Sequence, residues 1–197
     1  MPDSINCREI ERAICSHYES HKWLMPTTTP PGWWECDMFS LTQSDYMNEF
    51  EIKTSRSDFF ADFKKNVDGW AAVRMRGKNP YGLKQGEYDA LSRPILKHQL
   101  LSEGFERGPS RFWFCTPTRL VRPREIPCYA GHLEFYKRGK THIRTIVRKK
   151  APFLHREKFS EKRLKVLVGR IYWRYRQLYF FDLPKLHERI ELINDDT

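Results

Sequence analysis

From Trp34 to Thr54 apolar and polar residues alternate with period two at both ends, around a turn-like stretch from Thr42 to Tyr46. That pattern predicts a β-hairpin. With the turn centred near Ser44, Asp37 lies across from Glu51, Glu35 across from Lys53, and Phe39 across from Glu49. Residues paired in an antiparallel hairpin share a face. One face is then apolar, with Cys36, Met38, Phe50 and Ile52. The other carries Glu35, Asp37, Glu49, Glu51 and Lys53. Four carboxylates on two strands repel one another unless something neutralises them.

The flanking pattern predicts a helix before the hairpin, from Ser4 as cap to about Glu19, with Cys7, Ile10, Ile14, Tyr18 and Glu11 inward. The Pro26–Gly32 stretch ends it and delivers the chain to the hairpin. After the hairpin, Ser55 and Asp58 form a candidate capping box for a helix with Phe59, Phe60 and Phe63 on its apolar side. Residues 67–91 read as an excursion rich in glycine and cations. A helix from about Ser92 to Glu103 follows, its Leu91, Ile95 and Leu100 inward. Arg111–Thr116 is a short apolar run, as in a buried central strand. Two strands, His132–Lys137 and Thr141–Arg148, surround Arg138-Gly139. A last helix runs from its cap Ser160 to about Phe181, with Leu164, Leu167, Ile171, Tyr175 and Leu178 as the buried stripe. The order predicts an α/β domain with a mixed central sheet flanked by helices. Residues 1–157 form that domain, and 158–197 a basic C-terminal helical extension packed on it.

Charge narrows the partner. The 197 residues hold 35 Lys+Arg against 25 Asp+Glu, a net charge of +10. That excess favours a polyanion, nucleic acid first. The five cysteines form no C-x-x-C pair, which predicts free thiols in a reducing, cytoplasmic setting rather than a zinc site or disulfide framework. The chain has no signal-like N-terminus and no apolar run of membrane-spanning length, so no membrane partner is expected.

The acidic face has a specific chemistry. Phosphodiester hydrolysis needs an activated water and neutralisation of charge on the phosphate, which one or two carboxylate-bound Mg²⁺ ions supply. A neighbouring ammonium positions the water. Glu51 and Lys53 share a face about 7 Å apart along one strand, with Asp37 on the partner strand. Asp45, if it sits in the turn, lies on the order of 20 Å from Glu51 and does not replace Asp37.

Asp37…Glu51-Ile52-Lys53 resembles the D-x(n)-E-x-K signature of the PD-(D/E)XK, restriction-endonuclease-like nuclease superfamily. The longer run Glu35-Cys36-Asp37…Glu49-Phe50-Glu51-Ile52-Lys53-Thr54-Ser55-Arg56-Ser57-Asp58-Phe59 is similar to a bacterial and phage branch of it. That similarity continues through Arg111–Pro117 and Glu125-Ile126-Pro127…Tyr129-Ala130-Gly131, covering roughly residues 5–155. The resemblance implies an αβββαβ core with the signature on its second and third strands. It implies a Mg²⁺- or Mn²⁺-dependent endonuclease or exonuclease, with DNA favoured over RNA and the choice between them left open, Asp37 and Glu51 being metal ligands and Lys53 the water-positioning cation. A further acid from the first helix, Glu11 before Glu9, would join the metal site. Glu35 and Glu49 are candidate accessory ligands.

Candidate nucleic-acid contacts are Arg56, Lys97, with its neighbour His98, and the cations of the second hairpin. These are Lys137, Arg138, Lys140, Arg144, Arg148 and Lys149, in a run without acids. Each has an ordinary alternative as a solvated surface charge, and a cationic edge strand is common. Trp33, Trp34, Trp70 and Trp113 are candidate stacking rings, Trp113 being better placed in the core. A fold-sharing protein that binds nucleic acid without cleaving it is the alternative function, and the pattern leaves the oligomeric state open, a dimer included.

Overall fold

The computed structural model describes residues 5–182 except 33, 68–71, 74, 75, 77, 79, 140 and 141. Two compact units make up the chain, the first ending at Phe159 and the second beginning at Ser160. The first is built on a mixed six-stranded sheet.

Helix α1 (Cys7–His17) opens it. Its cap is Asn6, whose Oδ1 accepts from the Glu9 amide at 3.0 Å while the Glu9 carboxylate accepts from the Asn6 amide at 2.8 Å. The expected cap, Ser4, lies outside the described residues. Ile10, Ala13 and Ile14 are its buried side, and Cys7 is exposed.

Strand β1 (Trp23–Thr28) replaces the break expected over Pro26–Gly32. It pairs antiparallel with β2 (Cys36–Leu41), Pro26 opposite Met38. Proline has no amide to give a ladder, but β1 ends the sheet, where that loss is tolerated. Strand β3 (Met47–Ile52) pairs antiparallel with β2 in the expected register, Phe39 opposite Glu49 and Met38 opposite Phe50. Helix α2 (Arg56–Asp62) follows, capped by Ser55, whose Oγ accepts from the Asp58 amide at 3.1 Å.

The excursion contains a two-stranded ribbon, β4 (Asn66–Val67) against β5 (Ile95–Leu96), and helix α3 (Gln85–Leu91). The helix expected from Ser92 starts later, as α4 (Lys97–Glu103), because Ile95 and Leu96 are committed to the ribbon. Gly104 ends it at φ 71°, a left-handed cap that suits glycine.

Strand β6 (Arg111–Pro117) lies parallel to β3 and to β7 (Ala130–Arg138), and β8 (His142–Lys149) closes the sheet antiparallel to β7. The strand order is β1-β2-β3-β6-β7-β8. One face packs Met38, Phe50, Ile52, Trp113, Cys115 and Leu133 against Ile10 and Ile14 of α1. Alternation sends Phe112 and Phe114 to the other face. There Phe114 meets Phe59 of α2 at 4.8 Å and the His98 ring of α4 at 5.8 Å.

The second unit begins with α5 (Glu161–Gln177), capped by Ser160, and continues as a wider π turn over Leu178–Asp182. Of its expected buried stripe only Leu167 is fully buried, while Tyr175 and Leu178 are 58% and 51% exposed. Among the described residues no helix is long and apolar enough to cross a membrane.

The parallel β6–β7 pair packs closely at Gly131. A Cβ there would run into the Trp113 ring and sit 2.7 Å from Ala151 Cβ. Gly131→Ala is therefore expected to destabilise the protein by about 1–3 kcal/mol, as overpacking does. Urea unfolding of the variant beside the wild type measures it.

Candidate active site

The hairpin brings Asp37, Glu49, Glu51 and Lys53 to one side of the sheet. Glu49 and Glu51 are almost wholly buried, as is Lys53, and Asp37 is partly buried. Buried carboxylates survive only when cations or donors surround them. Glu51 has three. Its Oε1 takes Lys53 Nζ at 2.7 Å and Lys65 Nζ at 2.6 Å, and its Oε2 takes Lys97 Nζ at 2.6 Å. The β4–β5 ribbon supplies two of them. Lys65 precedes it, Lys97 follows it, and the Lys97 amide donates to the Lys65 carbonyl at 2.9 Å.

Glu49 shares Lys97 at 2.8 Å and accepts from the Trp34 indole at 2.9 Å on both oxygens. Asp62 of α2 accepts Lys65 at 2.7 Å and Lys53 at 3.1 Å. Its other oxygen lies 2.7 Å from His98 Nε2, and His98 Nδ1 lies 2.7 Å from the Tyr129 hydroxyl. An ionised carboxylate only accepts, so Nε2 is the protonated nitrogen facing it.

The charges separate the acids. Burial pushes Glu51 up, but Lys97, Lys53 and Lys65 outweigh it and hold its carboxyl below the usual range. Burial likewise opposes Asp62, and the His98 hydrogen bond with Lys97 and Lys53 carries it well below. At Glu49 burial prevails over Lys97 and Trp34, and the pKa is pushed up to about 7. Asp37 is also raised, first by burial and then by the charge of Glu51. Its one described hydrogen bond is from the Ile52 amide to Oδ2, at 2.8 Å. A cavity of about 410 Å³ opens beside it, lined by Asp37, Glu51, Lys65, Lys97 and Trp34.

Two of these carboxylates suit a hard divalent cation. Mg²⁺ keeps several waters and takes one or two protein carboxylates, with phosphate oxygens completing its shell. Asp37, raised by an adjacent negative charge and facing the cavity, fits that demand. Glu51 fits if one ammonium withdraws, and Lys65, with its side chain 47% exposed, is the one free to swing outward. A three-carboxylate set does not form. Among the described residues no group of three or more His, Cys, Asp or Glu side chains is arranged around a cation position. Glu11 is half-buried on α1; Cys7 of that helix feels the charges of Asp37, Glu11, Asp58 and Lys53, and Cys15 that of Glu11. Glu9 is taken by its capping box and by Lys137 at 3.0 Å.

Other candidates fall elsewhere. Lys97 and His98, weighed as surface residues, are buried parts of the site. Trp34 is buried as a donor to Glu49, not exposed for stacking, and Trp113 is core. Trp33 and Trp70 lie outside the described residues. Glu35 is exposed at the cavity rim. Arg56 binds Glu125 at 2.7 Å. On the basic hairpin, Lys137 pairs with Glu9, Arg148 with Glu134 at 2.7 Å, and Lys149 with the Pro127 carbonyl. Arg138 and Arg144 are exposed, and Lys140 lies outside the described residues. Lys65 and Asp62 carried little sequence signal, although Asp62 stands three residues after the inward Phe59.

No family model matches the chain, and no curated protein matches it. Among solved structures a protein of unknown function from Silicibacter pomeroyi, SPO1766, is similar at 17% identity over 88% of each chain, with a TM-score of 0.47. At that level the likeness carries no argument about this protein.

The two acids should respond oppositely to loss of charge. Asp37→Asn keeps an acceptor for the Ile52 amide and removes repulsion. A carboxyl raised in the folded state loses stability as pH rises through the interval between its unfolded and folded values. At neutral pH the variant should match or exceed wild-type stability, within roughly 0.5 kcal/mol or better. Glu51→Gln takes one carboxylate partner from each of the buried Lys53 and Lys97, leaving them Asp62 and Glu49 and an excess of buried positive charge, and should cost about 3 kcal/mol. Thermal melts in EDTA compare them.

Proposed function

We propose that the protein is a divalent-metal-dependent nuclease acting on DNA, with a restriction-endonuclease-like core. The observation that carries this reading is that Asp37 and Glu51, on adjacent strands, line one open cavity, with the Lys53 ammonium 2.7 Å from Glu51. The element order supports it: a helix, three antiparallel strands, a helix, and, after the β4–β5 ribbon with α3 and α4, a strand parallel to the third. Within that order the D…E-x-K residues fall on the second strand and at the end of the third.

In this reading Asp37 and Glu51 would hold Mg²⁺ or Mn²⁺, which would supply charge neutralisation and an activated water for phosphodiester hydrolysis. Lys53, fixed at 2.7 Å from Glu51 and 3.1 Å from Asp62, keeps an ammonium beside that phosphate to orient the attacking water. Lys97 clamps Glu51 from the other side and so fixes the direction of its remaining lone pairs. Lys65 leaves Glu51 for a phosphate oxygen as substrate enters. The net charge of +10 suits a polyanionic substrate.

One observation favours a second reading. Both Glu51 oxygens are already neutralised by lysines, as in a nucleic-acid-binding protein that keeps the fold and does no chemistry.

Incubation with linear, circular, single-stranded and branched DNA, with Mn²⁺ or with EDTA, separates the two. The nuclease reading expects cleavage with metal only, reduced by roughly 100-fold or more in Asp37→Asn. Binding of the same DNAs without cleavage under any metal condition establishes the second reading instead.

A further inference from the structure

We propose that the outward face of α5 is a binding surface for single-stranded nucleic acid. The helix carries six cations, Lys162, Arg163, Lys165, Arg170, Arg174 and Arg176, against Glu161 alone. At about 100° per residue, Lys162, Lys165, Tyr172, Trp173 and Arg176 fall within one arc of about 100°. Leu164, Leu167 and Ile171 fall roughly opposite, and Leu167 is the fully buried one. Leu167 marks the buried side of the helix, and the mixed side is exposed.

On the outward side large rings stand in water. Tyr172 is 58% and Trp173 61% exposed, and Tyr179 and Phe180 of the following turn are 52% and 60% exposed. The Arg176 guanidinium sits 5.0 Å over the Trp173 ring. A Cβ at Gly169, between the lysines and the rings, would meet nothing within 4 Å, so the strip is open along its length.

Exposed aromatic rings flanked by cations match a strand whose bases are unpaired. Bases stack on rings, and phosphates track the lysines and arginines. Duplex DNA offers the phosphates but no free base faces. A second copy of the helix would bring like charges together. A membrane surface asks for a continuous apolar face, and here Lys162, Lys165 and Arg176 interrupt the rings. This inference uses none of the residues around Glu51, so it stands or falls apart from the nuclease reading.

The test is fluorescence anisotropy of labelled oligo(dT) with the full-length protein in EDTA, where no metal-dependent step intervenes. The paired variants are Tyr172→Ala with Trp173→Ala, and Lys165→Gln with Arg176→Gln. Each site is a surface position, so melting temperatures should hold. The ring variant is expected to bind oligo(dT) roughly tenfold or more weakly, as loss of base stacking does, and a duplex of equal length nearly as before. The charge variant should flatten the log–log salt slope by about 0.7 per cation on a single strand. Oligo(dT) affinity unchanged by the ring variant would overturn the proposal. So would loss, in that variant, of binding to phosphatidylserine vesicles or of self-association in sedimentation, with oligo(dT) unaffected.

Discussion

Everything around the candidate site depends on how Glu51 is neutralised. A carboxylate 1% exposed in the middle of a sheet is costly to ionise, and an isolated one would take up a proton instead. Here three ammoniums arrive from three places: Lys53 just beyond β3, Lys65 after α2, and Lys97 at the start of α4. Holding all three within 2.7 Å forces the chain between α2 and β6 to return to the sheet, and the β4–β5 ribbon makes that return. The ribbon has only two residues per strand, of which Val67 is buried, and the lysines on either side of it are anchored by Glu51 and Asp62. An excursion that reads as loose in the sequence is tied down by charge as well as by the burial of Val67, Ala72 and Val73.

The same cluster sorts the acids by role. Asp62 and Glu51 lie deep among cations and stay ionised. Glu49, beside them but sharing one lysine, is pushed up to about 7. Asp37 has no lysine of its own and faces the cavity, its charge opposed by Glu51. Two neighbouring carboxylates, one saturated with cations and one not, leave a gradient pointing at the open side.

The hairpin was legible in the sequence because alternation and turn position together set its register, and one residue of slip would have reversed every face. Hence Met38, Phe50 and Ile52 went to the core and Asp37 and Glu51 to the site. Lys97 was not legible. It lies 46 residues from Glu51 along the chain, and a lysine on a short helix ordinarily points to water. Its burial comes from the acids it meets, which helical periodicity does not encode. The count of acids held the missing signal: Glu49 and Glu51, buried on one strand with Lys53 alone nearby, require further cations from distant sequence. Glu11, on α1, joins no group of three acids around a cation position among the described residues. β1 was hidden by Pro26, a strand breaker everywhere except at an edge.

The central claim is that Glu51 exchanges one of its ammoniums for a divalent cation shared with Asp37. A crystal structure with Mn²⁺ and a short, non-hydrolysable DNA oligonucleotide tests it directly through the anomalous signal of the metal. The account predicts an anomalous peak about 2.0–2.3 Å from one oxygen each of Asp37 and Glu51, with Lys65 withdrawn toward a phosphate and Lys97 still on Glu51. A Glu51 carboxylate still gripped by Lys53, Lys65 and Lys97, with no peak beside Asp37 while DNA occupies the cavity, would contradict it.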